Sequence, residues 1–250
     1  MSRPLWTEGT LLCPQHMQQQ DRYHEQQLAA RLAVVAPHAW GVLAVRFDLA
    51  ALQAGQTFYT PALGIPPLRQ AIADFYQSRY GITVPARRVV VTPGASGALQ
   101  LALAACINPD DKVLLPDPTY PCNRHLVRLV NGEPVCLPVA ADSGFQLRAE
   151  DIATHWDART VAAMIASPAN PTGTLIRPED LRSLLAAVRA RQGILIVDEI
   201  YHGLTYGLDA PSVLQVDDSA FVLNSFSKYF GMTGWRLGWL VAPPAAVPDL

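Results

Sequence analysis

Hydrophobic positions from residue 65 onward follow two alternating spacings. Short, nearly continuous apolar runs are typical of strands that are buried on both faces of a parallel sheet. Longer segments with apolar residues three and four positions apart separate most of these runs, and this is the spacing of helices that pack on one side. The seven predicted strands are 88–92, 112–116, 133–139, 161–167, 193–199, 220–225 and 235–242.

Helical spacing is clear in the segment "PPLRQAIADFYQSRYG", which places Leu68, Ile72 and Phe75 on one face and ends at Gly81. Helices that alternate with strands cover a sheet on both sides, because each element has to bury its apolar surface against another. The pattern therefore predicts the α/β class, with three layers (α/β/α) and a mostly parallel sheet of seven strands.

The first 50 residues do not follow this alternation. A glutamine-rich segment with helical spacing is followed by "WGVLAVRFDL", which alternates like a half-exposed strand. The composition changes near residues 48–56. We therefore expect two parts, an N-terminal segment over 1–50 and a larger α/β part over 51–250.

Composition narrows the class of protein further. The net charge is −2 and the pI about 6.3, so the chain lacks the basic footprint of a nucleic-acid-binding protein. The longest apolar runs, such as "LALAACI", are too short to span a bilayer, and the N-terminus lacks the apolar core of a signal peptide. Four cysteines without a C-x-x-C pair are typical of reduced thiols, so we expect a cytoplasmic protein.

Polar and small residues follow the ends of most predicted strands. In open α/β sheets, ligands bind outside the carboxyl ends of the strands, so these residues are candidates for one site. In chain order they are the small residues 94–98 with Ala95 and Ser96, then Tyr120, Asn170, Asp198, Tyr201, Ser225 and Lys228.

Lys228 is one of two lysines among 19 basic residues. Lys112, the other, follows two aspartates, whereas Lys228 stands between Phe226 and Tyr229. A primary amine can lose its proton and form an imine with an aldehyde, and a guanidinium cannot. A lysine at this strand edge therefore predicts pyridoxal 5'-phosphate as the cofactor.

The other candidates match the parts of that cofactor. The N-terminus of the helix that starts near 94–98 can bind a phosphate, and Arg236 can clamp it, although close packing and a surface ion pair are alternatives. Asp198 can pair with the pyridinium nitrogen, or instead cap a helix or bind a metal. Tyr201 and Asn170 can donate to the ring oxygen, although an Asn-Pro turn also explains Asn170.

Residues 56–242 resemble the large domain of the class I/II aminotransferases of fold-type I. The resemblance implies that Lys228 is the Schiff-base lysine and proton shuttle, and that Tyr120 stacks on the ring. It implies one antiparallel strand at 235–242. The motifs that carry it are "FYTPALGIPPLRQAIA", "TPGASGAL", "DPTYPCN", "SPANPTGT", "IVDEIY" and "SFSKYFGMTGWRLGW".

The same resemblance assigns the remaining roles. It implies Asp198 on the pyridine nitrogen, and Asn170 and Tyr201 on the ring oxygen. The phosphate ligands that it implies are Ala95, Ser96, Ser225 and Arg236. In dimers of this family the tyrosine that matches Tyr59 reaches the phosphate of the neighbouring subunit, so we expect a homodimer.

Residues 4–50 resemble the N-terminus of a type VI secretion baseplate subunit, the TssK family, through "EGTLLCPQHMQQQDRY". We therefore expect a fusion, with baseplate contacts through residues 1–50. The family's small C-terminal domain, which carries the arginine for the substrate carboxylate, would lie beyond Leu250, and we expect it to be absent.

The expected activity is transfer of an amino group from an amino acid to a 2-oxo acid, impaired by the truncation. A lyase or decarboxylase that uses the same cofactor is an alternative within the fold. A structural baseplate-like fragment and a non-functional fusion are the alternatives outside it.

Overall fold

The computed structural model describes residues 59–249. The predictions for residues 1–50 lie outside the described residues. The α-helices in the described part are α1 (Pro66–Tyr80), α2 (Gly94–Cys106), α3 (Cys122–Leu129), α4 (Ala149–His155) and α5 (Pro178–Ala190). The strands are β1 (Val89–Thr92), β2 (Lys112–Asp117), β3 (Glu133–Pro138), β4 (Thr160–Ala166), β5 (Ile194–Asp198), β6 (Phe221–Ser225) and β7 (Gly238–Val241).

The seven strands form one sheet in the order β1-β7-β6-β5-β4-β2-β3. Strands β2 to β6 are parallel to their neighbours within that group, whereas β7 is antiparallel to both β1 and β6. The predicted α/β class, the mostly parallel seven-stranded sheet and the reversed strand are confirmed. The reversal matters for the site, because the residues that precede β7 reach the edge where the other strands end.

Strand β7 is shorter than the predicted 235–242 and begins at Gly238. The preceding residues Thr233–Trp235 form a 3-10 turn, and Arg236 has a φ of 50°. A left-handed backbone conformation cannot continue a strand, so it ends the extended segment before Gly238.

The core lies on both faces of the sheet, which confirms the three layers. Leu114 of β2 belongs to the cluster that includes α1, α4 and α5, while its neighbours Val113 and Leu115 belong to the cluster with α2 and α3. This is the alternation of a strand that is buried on both sides.

Helix α1 is anchored to β7 by a buried pair of aromatic residues. The indole Nε1 of Trp239 donates to the hydroxyl of Tyr76 at 3.1 Å, and both side chains are buried. The predicted face of this helix is partly right, since Ile72 is buried and Leu68 and Phe75 pack against the core at its edge. No helix within residues 59–249 has the length and apolar character needed to cross a membrane.

Candidate functional site

A cavity of about 190 Å³ opens at the edge where β1, β2, β4, β5 and β6 end. It gathers eight of the ten predicted site residues, and Ser225 and Tyr59 lie outside its lining. The eight are Ala95, Ser96, Tyr120, Asn170, Asp198, Tyr201, Lys228 and Arg236. The topology explains this, because the carboxyl ends of parallel strands share one edge of the sheet.

Asp198 is the last residue of β5 and its carboxyl faces the cavity. In the described part of the chain, its one hydrogen bond comes from the backbone N–H of Ile200 to Oδ1, at 2.9 Å. Burial raises the pKa of Asp198 to about 6, and the bond from Ile200 opposes this rise. A cation in the cavity would therefore stabilise this carboxylate. Among residues 59–249, no group of three His, Cys, Asp or Glu side chains is arranged to hold a metal ion.

Lys228 and Lys112 differ in their partners. Lys112 Nζ lies 2.6 Å from Asp157 Oδ2, in an ordinary surface ion pair. Lys228 follows β6 and lines the cavity, with Nζ 5.7 Å from the centre of the Tyr201 ring. No carboxylate of residues 59–249 forms an ion pair with it. The amine of Lys228 is thus available to a ligand in the cavity.

Asn170 and Tyr201 converge on one point of the cavity wall. The amide Nδ2 of Asn170 donates to the Tyr201 hydroxyl at 3.3 Å. The two residues come from loops that follow neighbouring strands, β4 and β5, and both line the cavity. Together they can present two donors to a single acceptor atom on a bound ligand.

The opposite end of the cavity combines the start of α2 with Arg236. Gly94 opens the helix with a φ of +74°, and a Cβ added there would lie 2.6 Å from Arg236 Nη2. A Cβ on Gly238 would lie 2.5 Å from the carbonyl carbon of Gly94. The missing side chain of Gly94 therefore lets the guanidinium approach the helix N-terminus, and that of Gly238 lets the helix start pack closely on β7. Free N–H groups of a first helical turn and a guanidinium together favour a phosphate.

Comparison with known proteins identifies the family. Residues 29–250 match the family model described as aminotransferase class I and II. The chain belongs to this family. Members of these classes generally depend on pyridoxal phosphate.

Two curated aminotransferases illustrate the similarity. The chain is 46% identical over 196 residues to a valine–pyruvate aminotransferase of Mycobacterium tuberculosis, which covers 78% of this chain and 50% of that relative. It is 36% identical over 197 residues to an aspartate aminotransferase of Sulfolobus acidocaldarius, with coverages of 77% and 49%. The chain spans about half the length of these curated relatives.

Solved aminotransferase structures share the fold. An aminotransferase from Mycobacterium tuberculosis aligns with a TM-score of 0.74 and 44% identity, over 80% of this chain and 55% of that one. A putative aminotransferase from Silicibacter pomeroyi aligns with a TM-score of 0.71 and 37% identity, over 90% and 61%. Their assignment to fold-type I agrees with the resemblance predicted from the motifs.

The cavity fits the cofactor of this aminotransferase family. Pyridoxal phosphate carries an anionic phosphate, a pyridine nitrogen that can be protonated, a ring oxygen and an aldehyde. The structure offers a glycine-lined helix start with a guanidinium, a buried carboxylate, two converging donors and a free amine in one cavity. Each group of the cofactor therefore has a chemically matched partner.

Two serines near Lys228 occupy different environments. Ser225 is fully buried, and its Oγ lies 3.1 Å from the carbonyl of Leu237 and 2.8 Å from Ser227 Oγ. Ser227 and Thr233 line the cavity, and neither residue was predicted from the sequence as part of the site. The predicted contact of Ser225 with a phosphate stays a prediction. In this structure the serine whose side chain lines the cavity is Ser227. The segment "SFSK" contains both serines, and alternation alone does not show which one faces the ligand.

The two remaining predicted tyrosines differ in position. Tyr120 lines the cavity and is 40% exposed, as expected for a ring that is left open to a ligand. Tyr59 is fully exposed and lies outside the cavity. Its predicted contact with a neighbouring subunit stays a prediction.

Proposed function

We propose that this chain forms the cofactor-binding part of a pyridoxal-phosphate-dependent aminotransferase. The proposed reaction moves an amino group from an α-amino acid to a 2-oxo acid. The observation that carries this proposal is the placement of Lys228, free of any ion pair in the described chain, in one cavity with the buried carboxylate of Asp198. Membership of the aminotransferase family supports the same conclusion.

The phosphate end of the site would consist of the first turn of α2 and Arg236. Ala95 and Ser96 line the cavity at this helix start, so their backbone N–H groups and the Ser96 hydroxyl are the proposed phosphate donors. Ser227, which also lines the cavity, adds a second hydroxyl. A phosphate held in this way fixes one end of the ligand and so orients the rest.

The other residues act on the ring and on the proton. Asp198 would hold the pyridine nitrogen protonated, and Asn170 and Tyr201 would donate to the ring oxygen. Tyr120 would stack on the ring face. Bound cofactor supplies an electron sink for the bond that breaks at the substrate Cα. Lys228 would bind the cofactor through Nζ and, once released, take up and return the Cα proton as a base.

The substrate class follows from the family and its relatives. The relative with 46% identity is named for valine and pyruvate, and the relative with 36% identity for aspartate. We therefore propose valine with pyruvate as the first substrate pair to assay, and aspartate as the second amino donor.

The proposed assembly is a homodimer in the cytoplasm. In this proposal, the exposed Tyr59 side chain contributes to the phosphate site of the second subunit. A molar mass measured by light scattering, with and without pyridoxal phosphate, tests the dimer.

Borohydride reduction tests the proposed function directly. The purified chain is incubated with pyridoxal phosphate, reduced, digested and mapped by mass spectrometry. We expect the adduct on Lys228 and its complete loss in Lys228→Arg, since a guanidinium does not form an imine. Lys112→Arg is the matched control and should leave the adduct unchanged. An adduct only on Lys112, or none in the wild type, would contradict the proposal.

A further inference from the structure

His202 is buried directly behind the cavity wall, next to Tyr201 in the chain. Its Nε2 lies 2.8 Å from the carbonyl oxygen of Ser167, which can only accept, so Nε2 carries the hydrogen. Its Nδ1 lies 2.8 Å from the hydroxyl of Tyr80, which therefore donates to it. Both ring nitrogens of a neutral imidazole are thus satisfied, and the tautomer follows from the partners.

The bond to Ser167 connects the two loops that carry the ring-oxygen donors. Ser167 follows β4 and stands three residues before Asn170. Its backbone N–H donates to the carbonyl of Asp198 at 3.1 Å, while its carbonyl accepts from His202. Ser167 is therefore held at its N–H by the last residue of β5 and at its carbonyl by the turn that follows β5.

The held loop sets the position of Asn170. Within the loop, Ala169 N–H donates to Thr174 O at 2.9 Å and Gly173 N–H donates to Ala169 O at 2.8 Å, and these two bonds close the loop as a turn. The Asn170 amide lies 3.3 Å from the Tyr201 hydroxyl. The His202–Ser167 bond and the Asn170–Tyr201 bond are the side-chain contacts that tie this loop to the turn after β5, while Gln146 Nε2 also donates to the carbonyls of Ala166 and Thr174.

Nearby charged groups do not replace this bond. Glu199 Oε2 is 3.6 Å from His202 Nδ1, which is too long for a hydrogen bond, and it faces the nitrogen that Tyr80 already serves. Arg79 of α1 pairs with Asp209. The imidazole stays neutral near neutral pH, because burial lowers the pKa of His202 to about 4.

We propose that His202 is a positioning residue of the cofactor site, which clamps the Ser167–Asn170 loop to the turn after β5 so that Asn170 and Tyr201 act on the same ring oxygen. It does not line the cavity and so acts through these two residues. This inference rests on the proposed function, but its first test does not need the cofactor.

The first test is hydrogen exchange in the cofactor-free protein. In His202→Ala, the amides of Ala169 and Gly173 should exchange on the order of tenfold faster, the effect of losing about one net hydrogen bond. His202→Gln, which keeps a side-chain N–H donor, should retain most of the protection. His155→Ala removes an exposed histidine at the end of α4 and should change nothing in this loop. Equal exchange of the loop in wild type and His202→Ala would overturn the clamp.

The second test uses the pH dependence of the visible absorbance of cofactor bound to Lys228. In the proposed site, the ring oxygen would accept from Asn170 and Tyr201 and also from the protonated nitrogen of Lys228. If the two loop donors are weakened, the ring oxygen would hold the proton on that nitrogen more strongly. His202→Ala should therefore shift the absorbance transition to higher pH, by on the order of one pH unit for one lost hydrogen bond. Asn170→Ala should shift it in the same direction.

The outcomes separate this inference from the proposed function. If wild type forms no adduct at Lys228, the proposed function fails, while hydrogen exchange still decides on the clamp. If wild type forms the adduct and His202→Ala titrates like it, His202 does not position the donors. If His202→Ala does not fold, Tyr80→Phe carries the test. Tyr80→Phe removes the donor to Nδ1 alone, and a small shift in the same direction is then expected.

Discussion

Replacing Glu199 with glutamine should remove a loss of stability that the wild type shows as the pH rises above neutral. Glu199 follows β5 and is 1% exposed. Its Oε1 accepts from Ser212 Oγ at 3.0 Å and from Val213 N–H at 2.8 Å. Its Oε2 is buried without a hydrogen-bond partner in the described chain. Ionisation would place a charge on this unsatisfied oxygen, so the neutral acid is favoured.

The magnitude follows from the shift in pKa. Burial raises the pKa of Glu199 from 4.5 to about 8, and the bonds from Val213 and Ser212 oppose this rise. Because the folded state holds the proton more tightly, its contribution to stability is fully present below pH 4.5 and is lost as the pH rises through 8. The loss is about 1.4 kcal/mol per pH unit, or roughly 2 kcal/mol between pH 6.5 and 8.

The other groups with shifted pKa values change the free energy of unfolding little between pH 6.5 and 8. Asp198 has a pKa of about 6, so its own loss of stability is complete near the lower limit. His202, with its pKa lowered from 6.5 to about 4, contributes in the opposite sense, and only about 0.4 kcal/mol of that contribution is still gained between pH 6.5 and 8. Burial raises the pKa of Cys106 to about 12, above its ordinary 9.0. Between pH 6.5 and 8 the slope therefore reports Glu199.

The assay is urea unfolding of the cofactor-free protein, under reducing conditions, at several values between pH 6.5 and 8. We expect the free energy of unfolding of wild type to fall across this range, and that of Glu199→Gln to stay nearly constant. Glu150→Gln makes the same change at an exposed position of α4 and should keep the slope of the wild type. A wild type without the slope, or a Glu199→Gln variant that keeps it, would refute the reasoning.

Two further predictions concern the cofactor. Asp198→Asn should still form the Lys228 adduct but lower the exchange of the substrate Cα proton by several powers of ten, which NMR in deuterated water measures; unchanged exchange would contradict the assigned role. Gly94→Ala should weaken pyridoxal phosphate binding by on the order of tenfold, because the new Cβ meets the Arg236 guanidinium and φ is +74°. Pyridoxal, which lacks the phosphate, should bind both proteins alike, and an equal loss for both ligands would count against a phosphate site there.

The order of strands and helices was predictable from the sequence because most strands are apolar runs that are buried on both faces. The placement of Asp198, Asn170 and Lys228 in one cavity follows from the same pattern, since all three come after parallel strands. The start of β7 was not predictable in this way. Trp235 continues the apolar pattern but is 55% exposed, and the left-handed conformation of Arg236 has no signal in hydrophobicity.

The buried contacts of His202 with Tyr80 and Ser167 were also not predictable from the sequence. His202 meets Tyr80 across 122 residues, and neither residue has an unusual local pattern. Their contact depends on how α1 packs on the sheet. A histidine next to a motif such as "IVDEIY" is the signal that could have prompted a search for such a partner.

The position of β1 at the edge of the sheet affects the order in which the protein can assemble during synthesis. Among the strands of residues 59–249, β1 pairs with β7 alone, and Thr92 is opposite Gly238. At 5–20 residues per second, a ribosome needs roughly 7–30 s to add the residues that separate these two strands. The apolar segment 89–92 has no strand partner in the sheet throughout that interval, and an unpaired apolar edge can associate with other chains. The proposed phosphate-binding end of the cavity joins the helix after β1 to the arginine before β7, so it forms only after β7 has been synthesised. A holding chaperone would therefore protect the chain most during the interval in which β1 is unpaired.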